Sequence, residues 1–419
     1  MSLARGILPV LLAVALLSTG CTPPVPVAEN SASSQATAAP PENPTDIKLL
    51  RALSNAGVTP VASLPEENKE LMKLGRALMF DKDLSGNRDI ACATCHDPNR
   101  GTGDGLSLSV GTGGVVARNA PPLFNLALAE NLFWDGRIQK GENGPEALSE
   151  KVPYLDQVDS LLAVQAAVPL TCRVEMLGEG DLNGHLELLL GRVERKPEYQ
   201  TLLMKAYPGV PESELRFYHL ANALAAFQRG AYRSFGSPFD QFLEGDDRAL
   251  TLQQKRGALL FYGRAKCSGC HRGIMLSDFR FHNVAVPQIG PGKAPHQPLD
   301  LGRAGITGKP SDRFRFRTPS LRNVELTGPW MHDGAYTSLR AVVEHYRDPG
   351  KSLTDYDKGQ LSPELSVEVH VEEQLREGVL ETLDPIVAQS LELSEQEVDD
   401  LLAFLGALSD PRFAPSPEP

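Results

Sequence analysis

Two stretches of this 419-residue chain set sulfur and imidazole at one spacing: Cys92-Ala-Thr-Cys95-His96 and Cys267-Ser-Gly-Cys270-His271. In a Cys-x-x-Cys-His run the two thiols can add to the two vinyl groups of one haem, and the adjacent His lies beneath the iron as an axial ligand. A dithiol redox pair needs neither the His nor a second copy. A four-cysteine zinc site keeps its pairs about 15–20 residues apart, whereas these pairs lie in opposite halves of the chain. Two covalently bound haem c groups are expected, held by Cys92, Cys95, Cys267 and Cys270, with His96 and His271 on the irons. Cys172 has no evident partner and reads as a buried free thiol.

The far side of each iron then decides between carrying electrons and doing chemistry. After His96, the stretch Ala91–Pro121 contains no further His and no Met. The first iron is therefore expected to keep an open position. A His arriving from elsewhere (His185, His219, His282, His296 or His370) would close it.

Each motif must be positioned by helices. Leu71, Leu74, Leu78 and Met79 recur at helical spacing ahead of the first motif, and Leu252, Arg256, Leu259 and Leu260 do so ahead of the second. Near the C-terminus, Ser394 and Glu397 form a capping box before the apolar stripe Val398, Leu401, Leu402 and Leu405. That helix is expected to pack on the helix leading into the second motif. The fold class is mostly α, with two cytochrome c-like haem domains over 46–242 and 243–412, joined near Pro238 to Asp247. Long loops at 97–120 and 272–315 wrap the haems, in keeping with 37 Gly and 33 Pro. The runs GTGDG and GTGG lack the Lys-Ser/Thr and strand–helix setting of a phosphate loop. The run Arg313 to Arg317 is expected to meet haem propionates or to form a strand between the domains.

Residues 1–20 read as an export signal. Arg5 precedes an apolar run, Ile7 to Leu17, that is too short to span a bilayer. The Ser-Thr-Gly-Cys ending at Cys21 suggests lipoprotein processing, although Ser18 stands where a Leu is usual. Residues 21–45, rich in Pro, Ala and Ser, read as a flexible tether, and 413–419 as a tail. The expected place is the periplasm, with membrane contact only through a lipid anchor at Cys21. A net charge of −12 argues against nucleic acid as a partner and permits a basic protein.

Longer motifs carry a resemblance. LGRALMFDKDLSGNRDIACATCH, RNAPPLFNLALAENLFWDGR (Arg118 to Arg137), RVEMLG (Arg173 to Gly178) and FRTPSLRNVELTGPWMHDGAYTSLRAVVEHY (Phe316 to Tyr346) resemble the di-haem cytochrome c peroxidase and MauG superfamily, in its MauG-like branch. The likeness runs over about residues 65–410. It implies that Glu175 is the catalytic acid–base, that Gln165 positions the peroxide and that Trp134 bridges the haems. Thr112 stands where members that need reductive activation carry a His capping the first iron. Tyr346 occupies the position of the second haem's far ligand. His345 competes with it, but neighbouring helical side chains diverge by about 100°, so only one can face the iron. Met331 and His332 are structural in the family. One calcium ion is implied, held by the Asn119 side chain and the carbonyls of Thr327 and Pro329. The segment between Trp134 and Gln165 is longer than usual, which puts the shape of the pocket mouth in question.

The function expected from this likeness is reduction of hydrogen peroxide at an open first haem. Electrons would come through the second haem from a small cytochrome c or cupredoxin. One alternative is a MauG-type enzyme that oxidises a partner protein. The other is a non-catalytic electron-transfer cytochrome, which requires firm ligands on both faces of both irons.

Overall fold

The computed structural model describes residues 43–142, 144–148, 155–370 and 372–414. The expected export signal, Cys21 and most of the tether and tail lie outside the described residues. Helices build the fold, and the strands are short antiparallel pieces of two to four residues.

Each half is organised on one helix crossing. Helix Lys69–Met79 is capped by the Asn68 side chain, which accepts from the Glu70 and Leu71 amides, and it buries Leu74, Leu78 and Met79. It crosses helix Phe217–Ala231 at Gly75, where a Cβ would stand 1.9 Å from the Ala223 carbonyl oxygen. Backbone meets backbone there, and only glycine fits. The second half repeats the device. Helix Leu252–Phe261, opened by the Thr251–Gln254 capping box, meets helix Glu395–Gly406 at Gly257, whose Cβ would lie 1.8 Å from the Asp400 carbonyl oxygen. An Arg256–Asp400 pair at 2.8 Å flanks this crossing. The C-terminal helix thus packs where its stripe directs it, and its Ser394–Glu397 capping box is formed.

Two large apolar cores result. The first gathers residues from Leu74 to Tyr232, and the second gathers Phe239, Phe261, Leu401 and Phe404 with their neighbours. One boundary needs correction. Helix Pro44–Asn55 was expected to be partly tether and partly first domain, yet it buries Leu49 and Leu53 in the second core. Its Asp46 pairs with Lys255 at 2.8 Å, both side chains buried. At the other end, Phe413 packs edge-on to Phe124 of the first core, with ring centroids 4.8 Å apart. Each end of the described chain therefore crosses to the other half.

The longer segment after Trp134 supplies strands Ile138–Gly141 and Gly144–Ala147, which join Asn131–Leu132 in a three-stranded sheet. It backs helix Leu161–Ala167 through Ile138 and Ala147. The run Arg313 to Arg317 ends in strand Phe316–Arg317, whose Arg317 amide donates to the Trp134 carbonyl at 2.8 Å. Beside it, the fully buried Asp135 carboxylate receives Arg118 at 2.6 Å, Arg137 at 3.1 Å and Lys293 at 3.1 Å. Burial opposes its charge, but these three cations hold its pKa well below the usual carboxylate range. Removing one member of a buried charge cluster strands the others. Asp135→Ala is expected to lower the unfolding free energy by about 3–5 kcal/mol, read as a shift of the denaturant midpoint.

Candidate functional site

The first cavity, about 390 Å³, is lined by Cys92, Cys95 and His96 together with Trp134, Gln165 and Glu175. Cys92–Cys95 form one helical turn, and His96 follows it. The His96 Nδ1 lies 3.1 Å from the Thr102 carbonyl, which requires a donor, so Nδ1 carries the proton and Nε2 is left free as a base. Burial lowers its pKa and keeps the imidazole neutral, as a metal ligand must be.

Gln165 projects from helix Leu161–Ala167. It is 7% exposed, and its Oε1 has no protein partner. An orphaned buried amide oxygen is costly unless a ligand or water satisfies it. Glu175 sits on a π-helical turn, Arg173–Leu177, a rare form that often marks functional sites. The Cys172 carbonyl accepts from the Glu175, Met176 and Leu177 amides, and Gly178, at φ 60°, ends the turn.

A hairpin clamps this turn. Strands Val110–Gly111 and Gly114–Val115 pair, and the Thr112 amide donates to the Glu175 carbonyl at 2.7 Å. At Gly111 a Cβ would stand 2.0 Å from the Val174 carbonyl oxygen. Gly111 and Gly113 of the GTGG run are thus required by close backbone approach. Gly111→Ala must push the hairpin off the turn. It is expected to lower the unfolding free energy by about 1–3 kcal/mol, read as a shift of the denaturant midpoint.

The Thr112 hydroxyl turns away to Asp89, reaching its two carboxylate oxygens at 2.6 and 2.7 Å, and Thr112 does not line the cavity. Nor does any of His185, His219, His282, His296 or His370. Among the described residues of the longer segment, those from Ile138 to Leu148 and from Leu155 to Ser160 are also absent from its wall. The described part of the insertion braces the helix of Gln165 and stays off the cavity wall. Cys172, by contrast, does line it, and burial pushes its thiol up to about 11. Its place three residues before Glu175, on the same tight turn, was the available signal.

The second cavity, about 200 Å³, is lined by Cys267, Cys270, His271 and Tyr346, with Met331 and His332. His271 Nδ1 is 2.9 Å from the Leu276 carbonyl, and burial lowers its pKa to about 4. The neighbours at 345 and 346 part company. His345 Nδ1 is 2.8 Å from the Tyr336 hydroxyl and its Nε2 is 2.7 Å from the Val284 carbonyl, so protein groups occupy both nitrogens. Tyr346 faces the cavity instead, and burial raises its phenol pKa. His332 stacks on Phe316 with centroids 3.5 Å apart.

His282 also lines this cavity, bound by Asp384 at 2.7 Å and Asp278 at 3.1 Å. Burial opposes its charge, but these carboxylates and the Cys270 sulfur lift its pKa to about 10. Cys270, Asp278 and His282 bring donor atoms within 4.8 Å of one another. Haem attachment consumes that thiol, which leaves too few donors for a separate metal.

Trp134 and Asn119 line both cavities, and the Trp134 indole donates to the Asn119 carbonyl at 2.9 Å. The two cavities therefore share a wall. Thr327 and Pro329 lie on the second cavity's side of it. Two thiols and a pinned neutral imidazole in each cavity make a donor set that fits haem c.

The model of the family described as di-haem cytochrome c peroxidase matches residues 69–248. The methylamine utilization protein MauG of Methylorubrum extorquens is 34% identical over 406 residues, covering 96% of this chain and 95% of that protein. This chain belongs to the di-haem cytochrome c peroxidase and MauG family. The cytochrome c551 peroxidase of Pseudomonas aeruginosa, another relative, is 34% identical over 282 residues, 66% of this chain and 71% of its own. A crystal structure of a MauG-like protein associated with microbial copper homeostasis superposes with a TM-score of 0.63 at 28% identity, covering 85% of this chain and 96% of that one. Membership makes the chain a peroxidase-type haem oxidoreductase with two c-type haems.

Proposed function

We propose that the protein reduces hydrogen peroxide in the cavity of His96, Gln165 and Glu175. Two electrons and two protons convert each peroxide to two waters. The observation that carries this reading is the pairing of Gln165 and Glu175 on the wall of a cavity that no second imidazole lines. The haem held by Cys92, Cys95 and His96 supplies an iron centre able to cleave the O–O bond. The unpartnered Gln165 Oε1 accepts a hydrogen bond from peroxide and orients it. The Glu175 carboxylate takes a proton from one peroxide oxygen and returns it to the departing one. The Thr102 carbonyl fixes the His96 ring throughout.

Trp134 stands in the wall that the two cavities share, and Cys267, Cys270, His271 and Tyr346 would hold the second haem, which would supply the electrons. Their source is a small cytochrome c or cupredoxin, and the net charge of −12 suits a basic one. A second reading, oxidation of a partner protein, is favoured by Tyr346, because phenolate stabilises higher iron oxidation states than Met does. A calcium ion between the Asn119 side chain and the Thr327 and Pro329 carbonyls would stiffen the shared wall. We place the protein in the periplasm, anchored by lipid at Cys21.

Low-temperature spin resonance of the ferric protein tests the central claim. One high-spin and one low-spin iron are expected, with the high-spin signal vanishing on one equivalent of peroxide. Two low-spin irons at rest would make the molecule an electron carrier.

A further inference from the structure

The second cavity has an aromatic exit. From Tyr346 the ring centroids run 5.4 Å to His345, 5.1 Å on to Tyr336 and 5.7 Å on to Tyr356. His345 and Tyr336 are 0% and 3% exposed, while Tyr356 is partly exposed and donates its hydroxyl to the Ala335 carbonyl.

Hydrogen bonding sets the His345 tautomer. The Val284 carbonyl can only accept, so His345 Nε2 carries the proton in their 2.7 Å contact. Nδ1 then bears a lone pair and accepts from the Tyr336 hydroxyl at 2.8 Å. With that proton committed, the Ser352 hydroxyl, 3.0 Å away, donates to the same phenol oxygen. A buried phenol is hard to oxidise while its proton has nowhere to go, because a phenoxyl cation is a strong acid held in a low-dielectric site. Tyr336 has a prepared acceptor on one side and a donor that stabilises its oxygen on the other.

We infer that Tyr336 is a redox-active tyrosine, with His345 as its proton acceptor and Tyr356 as its outlet to the surface. The inference rests on the peroxidase reading, which supplies the oxidant: the second haem centre after peroxide has withdrawn electrons from the pair. Tyr336 gives one electron to that centre, and its O–H proton moves to His345 Nδ1. The products are a neutral phenoxyl radical and an imidazolium. An electron from Tyr356 returns Tyr336 to phenol, with the proton coming back from His345 and the Tyr356 proton leaving to solvent. A one-electron donor outside the protein then restores Tyr356.

The test uses the di-haem holoprotein, mixed with one equivalent of hydrogen peroxide without donor and freeze-quenched for spin resonance. An organic-radical signal is expected that narrows when the protein carries ring-deuterated tyrosine and that falls at least tenfold in Tyr336→Phe. In Tyr356→Phe the signal should persist several times longer. An unchanged low-spin haem signal in both variants shows the fold and the Tyr346 environment intact. A radical of equal yield in Tyr336→Phe, or one insensitive to tyrosine deuteration, overturns the inference. A high-spin signal that survives peroxide in the wild-type protein overturns the peroxidase reading instead, so the two failures are separate.

Discussion

Glu175→Gln is expected to slow the reaction of the ferric protein with hydrogen peroxide at least about a hundredfold, a rise of about 2.7 kcal/mol in the barrier. The amide keeps the size and the hydrogen-bonding reach of the carboxylate and loses only its capacity to take a proton. The fold gives this substitution a clean background. Backbone bonds to the Cys172, Arg173 and Glu175 carbonyls hold the turn Arg173–Leu177, and the Glu175 side chain takes no part in them. The spectra of both haems should therefore stay as in the wild type. Stopped-flow mixing under pseudo-first-order conditions reads the rate, and a rate equal to wild type removes Glu175 from the chemistry.

Tyr346→Met should raise the reduction potential of the second haem by on the order of a few hundred millivolts, a thioether favouring reduced iron where a phenolate favours oxidised iron. The position is well defined for the exchange. Tyr346 lines the cavity with Cys267, Cys270 and His271. His345 cannot replace it without breaking its bonds to Tyr336 and Val284. Spectroelectrochemical titration measures the shift. A second-haem potential indistinguishable from wild type would show that the 346 side chain is not on the iron.

What could be read from residues alone was local chemistry. The two Cys-x-x-Cys-His runs, the helix before each, and the Ser394–Glu397 box depend on neighbours within a few positions, and their spacing carries them. What escaped depends on distant partners. Leu49 and Leu53 announce a helix, but their periodicity is the same whichever core receives them. Gly75 and Gly257 look like ordinary mid-helix glycines until Ala223 and Asp400 come against them. Gly111 and Gly113 have their reason in the Val174 and Arg173 carbonyls of a turn far along the chain. The choice between His345 and Tyr346 rests on Tyr336 and Val284, and neither is implied by the two residues themselves.

The exchanged ends of the chain have a consequence for biogenesis. Asp46 waits for Lys255, 209 positions behind it, and Phe124, already against Tyr232, receives Phe413 only from the far end of the chain. A chain emerging from its N-terminus can therefore finish neither half early, and both close together once residues 410–413 arrive. A product stopped at residue 242 lacks the partner of its leading helix, while one begun at residue 243 lacks that helix altogether. Splitting the gene between the two haem motifs should give two insoluble fragments, and co-expressing them should restore what neither achieves alone.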